Sequence, residues 1–163
     1  MTLYNIKAIP TVYNHVQFRS RLEARWAAFF DLCGWQWDYE PFDLDGWAPD
    51  FKIVSGSVAA LAEVKPLDAT CQDVSVYADV FKKAAAHSDK YKVLLLCDGP
   101  VNALAGVPLC EECDLDEFAD AIRHPDIDAT WREAGNVVQW NSPKNEHDDY
   151  HTQLRRIFKK RAA

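Results

Sequence analysis

Two ionisable residues interrupt an otherwise apolar run, and a third follows a proline just upstream. Asp50 stands in Pro49-Asp50, and Glu63 and Lys65 stand in Ala60-Leu61-Ala62-Glu63-Val64-Lys65-Pro66. Two carboxylates and an ammonium are the groups needed to hold a hard divalent cation and to steer a water molecule at a phosphate. Carboxylates that converge repel one another unless a cation lies between them. Magnesium accepts such an oxygen site with few protein ligands and leaves its other positions to water and phosphate. A lysine beside it can hold the attacking water and stabilise charge at the phosphorus. Each residue also has a purely structural reading. Glu63 and Lys65 make an ordinary same-face pair on an exposed strand, and Asp50 makes a turn residue after proline.

The elements that would carry these groups follow from hydrophobic spacing. Leu22, Trp26, Phe29, Phe30 and Cys33 recur with helical period, so a helix is expected over 21–33 with Gly34 as its stop. Trp35-Gln36-Trp37-Asp38-Tyr39-Glu40 alternates as a strand does and ends at Pro41. Residues 51–54 and 58–65 read as two strands joined by Ser55-Gly56-Ser57. Alternation then puts Leu61, Glu63 and Lys65 on one face and Ala60, Ala62 and Val64 on the other. Asp50, 13 residues before Glu63, comes to the same end of the sheet once the hairpin closes. A helix over 73–87 presents Val74, Tyr77, Val80, Phe81 and Ala84 on one side, and 91–97 is a buried central strand. A short helix over 114–123, a strand over 137–140 and a final helix over 147–160 complete the reading. The order describes one α/β domain over 1–163, a mixed sheet flanked by helices.

Pro49-Asp50 followed by Glu63-Val64-Lys65 resembles the signature of the PD-(D/E)xK nuclease superfamily. The stretch from Phe18 to Pro66 is similar to small bacterial and phage nucleases of that group. The resemblance covers about residues 15–98 and implies a restriction-endonuclease-like core, with 99–163 unassigned and expected to pack on it. It implies that Asp50 and Glu63 bind Mg²⁺, for which Mn²⁺ substitutes, and that Lys65 assists the nucleophilic water. The preceding helix often adds a further acid, and Glu23 fits that position. Ser20-Arg21-Leu22-Glu23 is equally a capping box. Glu40 is a secondary candidate at the end of its strand. Lys82 and Lys83 occupy the helix where this superfamily often places a basic residue near substrate, Lys83 being favoured, and Gln72 precedes that helix. The implied activity is endonucleolytic hydrolysis of DNA leaving a 5′-phosphate. The alternative is an inactive module of the same fold that binds DNA or a protein. Cutting both strands would need two active sites, which a homodimer supplies.

The remaining features point elsewhere or nowhere. Cys110 and Cys113 form a CxxC, and His147 and His151 could complete a tetrahedral zinc site with them. The 33-residue gap between the pairs is far longer than a finger requires. Arg21 and Arg25 lie one helical turn apart near Arg19, and Arg155, Arg156, Lys159, Lys160 and Arg161 gather at the end of the chain. These bases are candidates for phosphate contacts, or cations that complement helix ends. The net charge of −7 is unlike that of a protein that coats nucleic acid. With 48% hydrophobic residues and six tryptophans the chain can bury a core. No apolar run approaches the roughly 18 residues of a membrane span. Five cysteines and a start without an export signal lead one to expect a cytoplasmic protein.

Overall fold

The computed structural model describes residues 8–68, 75–109 and 115–138. The described chain enters through a hairpin, β1 (Thr11–Tyr13) and β2 (Val16–Phe18), turned at Asn14 and His15 with φ of 46° and 64°. Two successive left-handed residues give the tight turn whose twist suits a hairpin. No hairpin is expected from the sequence at this point, because the turn lacks the glycine that usually marks one. Next comes α1 (Arg21–Leu32), capped by Ser20, whose hydroxyl accepts the Glu23 N–H at 3.2 Å. Gly34 leaves the helix at φ 71°, the left-handed stop its position suggested.

Three strands then pair antiparallel in succession: β3 (Gln36–Tyr39), β4 (Phe51–Ser55) and β5 (Val58–Val64). A 3-10 turn (Ser75–Tyr77) leads into α2 (Ala78–Ala85), and β6 (Lys92–Leu96) returns parallel to β5. The short strand β7 (Val107–Pro108) adds an antiparallel edge, giving the sheet order β3-β4-β5-β6-β7. Gly106 makes that edge possible, since a Cβ there would lie 2.2 Å from the Leu95 carbonyl oxygen. The helices α3 (Leu115–Ala121) and α4 (Ile127–Val137) follow. The chain is thus mixed α/β, as expected. Among the described residues no helix is long and apolar enough to cross a membrane.

Both faces of the sheet are covered, and this decides how the charged strand end is used. On one face Phe51, Ile53, Ala60, Ala62, Val64, Leu94 and Leu96 meet α1 and α4. On the other, Leu61 and Val93 meet Ala84 of α2 and Trp47. A strand buried on both sides reads as a nearly continuous apolar run, which is the character of 58–64. The alternation expected for β5 holds, but its second face is a smaller core rather than a solvated surface.

The largest departure lies after β7. The sequence suggested a strand beginning at Val137, whereas Val137 is the last residue of α4 and Val138 follows as a buried cap. Ile127, Trp131, Ala134 and Val138 are buried at spacings of four, three and four, a helical face. Gly135, Asn136 and the β-branched Val137-Val138 pair made the helix hard to see, and packing against α1 overrides those local preferences. Trp26 of α1 is the centre of that packing. It is fully buried, it lies 4.3 Å between ring centroids from Trp131, and its indole N–H donates to the Cys97 carbonyl at 2.9 Å. Trp26→Ala is therefore expected to cost about 3–5 kcal/mol, read as a lower urea midpoint with an unchanged slope.

Candidate active site

The hairpin register brings the two acids together. Phe51 pairs with Ala62, so Asp50 and Glu63 occupy the next opposed positions, at the end of the sheet where β5 leaves it. Both are buried, with 4% and 6% exposure. Burial of two carboxylates is unfavourable unless their oxygens find donors or cations, and each oxygen here has one.

Each acid has one oxygen held by a neutral donor. Asp50 Oδ2 accepts the backbone N–H of Val64 at 2.8 Å, and Glu63 Oε2 accepts the indole N–H of Trp47 at 2.7 Å. The second oxygen of each is held by a cation. Arg19 Nη2 bonds Asp50 Oδ1, and Lys65 Nζ bonds Glu63 Oε1 at 2.5 Å. The Lys65 ammonium also donates to the Val64 carbonyl at 3.2 Å. Trp47 reaches Glu63 because Leu44 and Trp47 pair across a turn with Gly46 at φ 73°, which folds the chain back just before Pro49-Asp50.

Burial pushes the Asp50 carboxyl up, from 3.8 to about 6, and the Glu63 charge adds to the rise. The Val64 N–H and the Lys65 ammonium oppose it, and the contact with Arg19 acts in the same downward sense. Burial works against the Arg19 charge, yet the Tyr39 hydroxyl and Asp50 hold its guanidinium above the ordinary range.

Glu23 stands in a neighbouring network. Its Oε2 accepts the Tyr39 hydroxyl at 2.6 Å and the Arg19 N–H at 3.0 Å. Its capping role is thus displaced by one residue, onto Arg19 instead of Ser20. Burial, together with the bond to Glu23, raises the Tyr39 hydroxyl well above its usual range, so it remains a neutral donor. Arg19 Nε meets the Tyr39 oxygen at 3.3 Å and Glu40 Oε1 at 3.1 Å. Glu40 itself lies exposed on the rim, in a bend at φ 47°. A groove of about 1050 Å³ between the β1–β2 hairpin and β3 reaches this rim at Arg19, Tyr39 and Glu40.

Among the described residues no three His, Cys, Asp or Glu side chains converge as a ready-made ion cage. Glu23, expected at the edge of the cation site, is turned instead to Tyr39 and the Arg19 amide. What fits a small hard cation is Asp50 Oδ1, Glu63 Oε1 and the Val64 carbonyl. These are oxygens alone, and two positive side chains already engage all three, Arg19 the first and Lys65 the other two. Magnesium typically needs one or two carboxylates and keeps its waters, so the donor set is chemically suitable.

The other candidates are more scattered. Arg21 is exposed at the start of α1. Arg25 is instead committed to α4: it lies over the Trp131 ring at 3.9 Å, and its Nε and Nη2 donate to the Trp131 carbonyl at 3.1 and 2.7 Å. That draws it away from the phosphate contact expected of it. Lys82 and Lys83 are exposed in the last turn of α2. Gln72, Cys110, Cys113, His147, His151, Arg155, Arg156, Lys159, Lys160 and Arg161 lie outside the described residues.

Arg19, Tyr39 and Trp47 are the site residues that sequence reasoning passed over. Arg19 counted only as one of several N-terminal bases, and the aromatics as strand and core. Two signals could have found them. Tyr39 pairs with Phe51, the neighbour of Asp50, and Asp45-Gly46 predicts the turn that returns Trp47 to Pro49-Asp50. No family model, curated protein or solved structure matches the chain.

Proposed function

We propose that the chain is a divalent-metal-dependent phosphodiesterase that hydrolyses the DNA backbone, built on a restriction-endonuclease-like core. The observation that carries this reading is the pair of buried acids at one strand end, each with one oxygen held by a neutral donor and the other by an exchangeable cationic side chain. A structural ion pair has no need of a second buried carboxylate beside it, and a metal site does.

Asp50, Glu63 and the Val64 carbonyl would hold Mg²⁺, or Mn²⁺ in its place. The bound ion would supply a water of lowered pKa and charge stabilisation at the phosphorus. Lys65 follows Glu63 on the same face and its ammonium bonds Glu63 Oε1, so it would be a donor to that water. Its role is to orient the water and to place positive charge at the developing pentavalent phosphorus. Burial raises the Asp50 carboxyl to about 6, so its carboxylate form prevails at neutral pH. The resemblance adds the product, a 5′-phosphate. The exposed Arg21 and Lys83 are available for backbone contacts, as are the C-terminal bases by sequence. A homodimer would supply the two sites that a double-strand cut needs.

The test is cleavage of supercoiled plasmid and branched DNA with Mg²⁺ or Mn²⁺ by the wild type, Asp50→Ala and Lys65→Ala. Equal cutting by all three proteins would assign the activity to a contaminant or to another site.

A second reading is favoured by one observation: Arg19 and Lys65 already neutralise both acids. On that reading the chain is an inactive module that binds DNA or a protein partner. The two readings separate in a metal titration, since a working site is stabilised by bound ion and a sealed one is not. A melting temperature unmoved by millimolar Mg²⁺ or Mn²⁺ would favour the module.

A further inference from the structure

The distribution of donors around the two acids is uneven in a way that assigns a task to Arg19. Val64 N–H and Trp47 Nε1–H are fixed by the sheet and by a buried ring, so Asp50 Oδ2 and Glu63 Oε2 are permanently engaged. Asp50 Oδ1 and Glu63 Oε1 are held only by the ends of long side chains. The Arg19 side chain is 62% exposed and the Asp50 side chain 5%. The guanidinium therefore reaches in from solvent to a buried acid. Its Nε is held on the rim at the same time, by Glu40 Oε1 at 3.1 Å and the Tyr39 oxygen at 3.3 Å.

We infer that Arg19 is an exchangeable plug for the Asp50 oxygen, released by the incoming divalent cation to contact the phosphate of the substrate. This rests on the metal-dependent reading above and deepens it. An arginine cannot be neutralised near pH 7, so it and a divalent ion compete for Oδ1. The displaced guanidinium remains at the mouth of the groove beside β3, where a backbone phosphate approaching the acids would pass. Its planar fork suits a phosphate better than an ammonium does. In the empty site the plug offsets the cost of two adjacent buried acids. In the loaded site the same charge becomes part of substrate recognition, and cation and substrate favour each other's binding.

The consequence is a pair of effects of opposite sign. Arg19→Met removes a competitor of the cation and a partner of the phosphate together. Mn²⁺ titrated calorimetrically into purified protein at low salt should bind Arg19→Met roughly three- to tenfold more tightly than wild type, the size of one half-exposed charge-assisted bond. A short duplex with phosphorothioate linkages, titrated at saturating Mn²⁺, should bind the variant more weakly. The slope of its log affinity against log salt should be shallower by about one unit, the signature of one lost phosphate contact. Arg19→Lys should lie between the two in both measurements and guards against a folding defect in the methionine variant. Unchanged or weaker Mn²⁺ affinity in Arg19→Met, with the wild type binding Mn²⁺, would overturn the plug alone. Absence of Mn²⁺ binding by the wild type would overturn both the plug and the metal-dependent reading. An unchanged salt slope would overturn the phosphate contact.

Discussion

Lys65→Ala should leave a folded protein whose metal-dependent DNA cleavage is reduced by roughly 10²–10⁴-fold, the usual worth of a positioned group that assists proton transfer or charge stabilisation. The side chain is 22% exposed and its backbone N–H donates to the Leu96 carbonyl at 2.9 Å. The strand end therefore stays in register when the side chain is cut back. Removing the ammonium leaves Glu63 Oε1 without its cation, so affinity for Mn²⁺ should hold or rise while turnover falls. That separation distinguishes a chemical role from a scaffolding one. A purely structural Lys65 would lose stability, and cation affinity and turnover would decline together. Single-turnover rates at saturating Mn²⁺, set beside calorimetric affinities, decide between them. A rate within threefold of wild type would remove Lys65 from the chemistry.

Asp50→Asn should do two things at once: abolish the response to divalent ions and make the ion-free protein more stable. The folded state holds the Asp50 proton more tightly than the unfolded chain does, its carboxyl rising from 3.8 to about 6. Its contribution to stability is thus fully present below about pH 4 and is lost as pH rises through about 6. In that window the folded state binds more protons than the unfolded one, so stability falls with pH. At pH 7.5 the ionised, buried carboxylate beside Glu63 is a liability of about 1–3 kcal/mol. Asparagine keeps an acceptor for the Val64 N–H and removes the charge. A gain of roughly 2–8 °C in melting temperature without metal follows for a chain of this size. Millimolar Mn²⁺ should raise the wild-type melting temperature and leave the variant unmoved. A variant less stable than wild type at pH 7.5 would show that the ion pair with Arg19 outweighs burial. By the same carboxyl, cation affinity in the wild type should weaken as pH falls below about 6.

What the sequence disclosed about this site depended on strand geometry. Asp50, Glu63 and Lys65 could be placed together because the hairpin is closed by a local turn and the pleat has a period of two. The helix carrying Glu23 was equally visible, since Trp26, Phe29 and Phe30 announce one face and Ser20 and Gly34 its ends. The partners that satisfy each oxygen were not visible. Arg19 meets Asp50 across 31 positions of sequence and Trp47 meets Glu63 across 16, and neither contact has a periodic signature. The helix around Trp131 was obscured for a related reason. Its weak local preference is overruled by burial against a helix 106 positions away, where Arg25 closes on the Trp131 carbonyl.

The parallel pairing of β5 with β6 also bears on when the site comes into being. Val64 lies opposite Leu96, and the Lys65 N–H is tied to Leu96. The strand end that carries Glu63 and Lys65 is therefore fastened by a segment about 30 positions later. Such non-local pairing closes slowly, because the loop must be ordered before any contact rewards it. The early hairpin of β4 and β5 would present both acids while that end still frays in water, where their repulsion is screened by solvent. Their desolvation waits for β6 and α2. The most costly electrostatic step would thereby be deferred until the sheet is able to hold it, and the end that carries Asp50 and Glu63 would be among the last parts to become native.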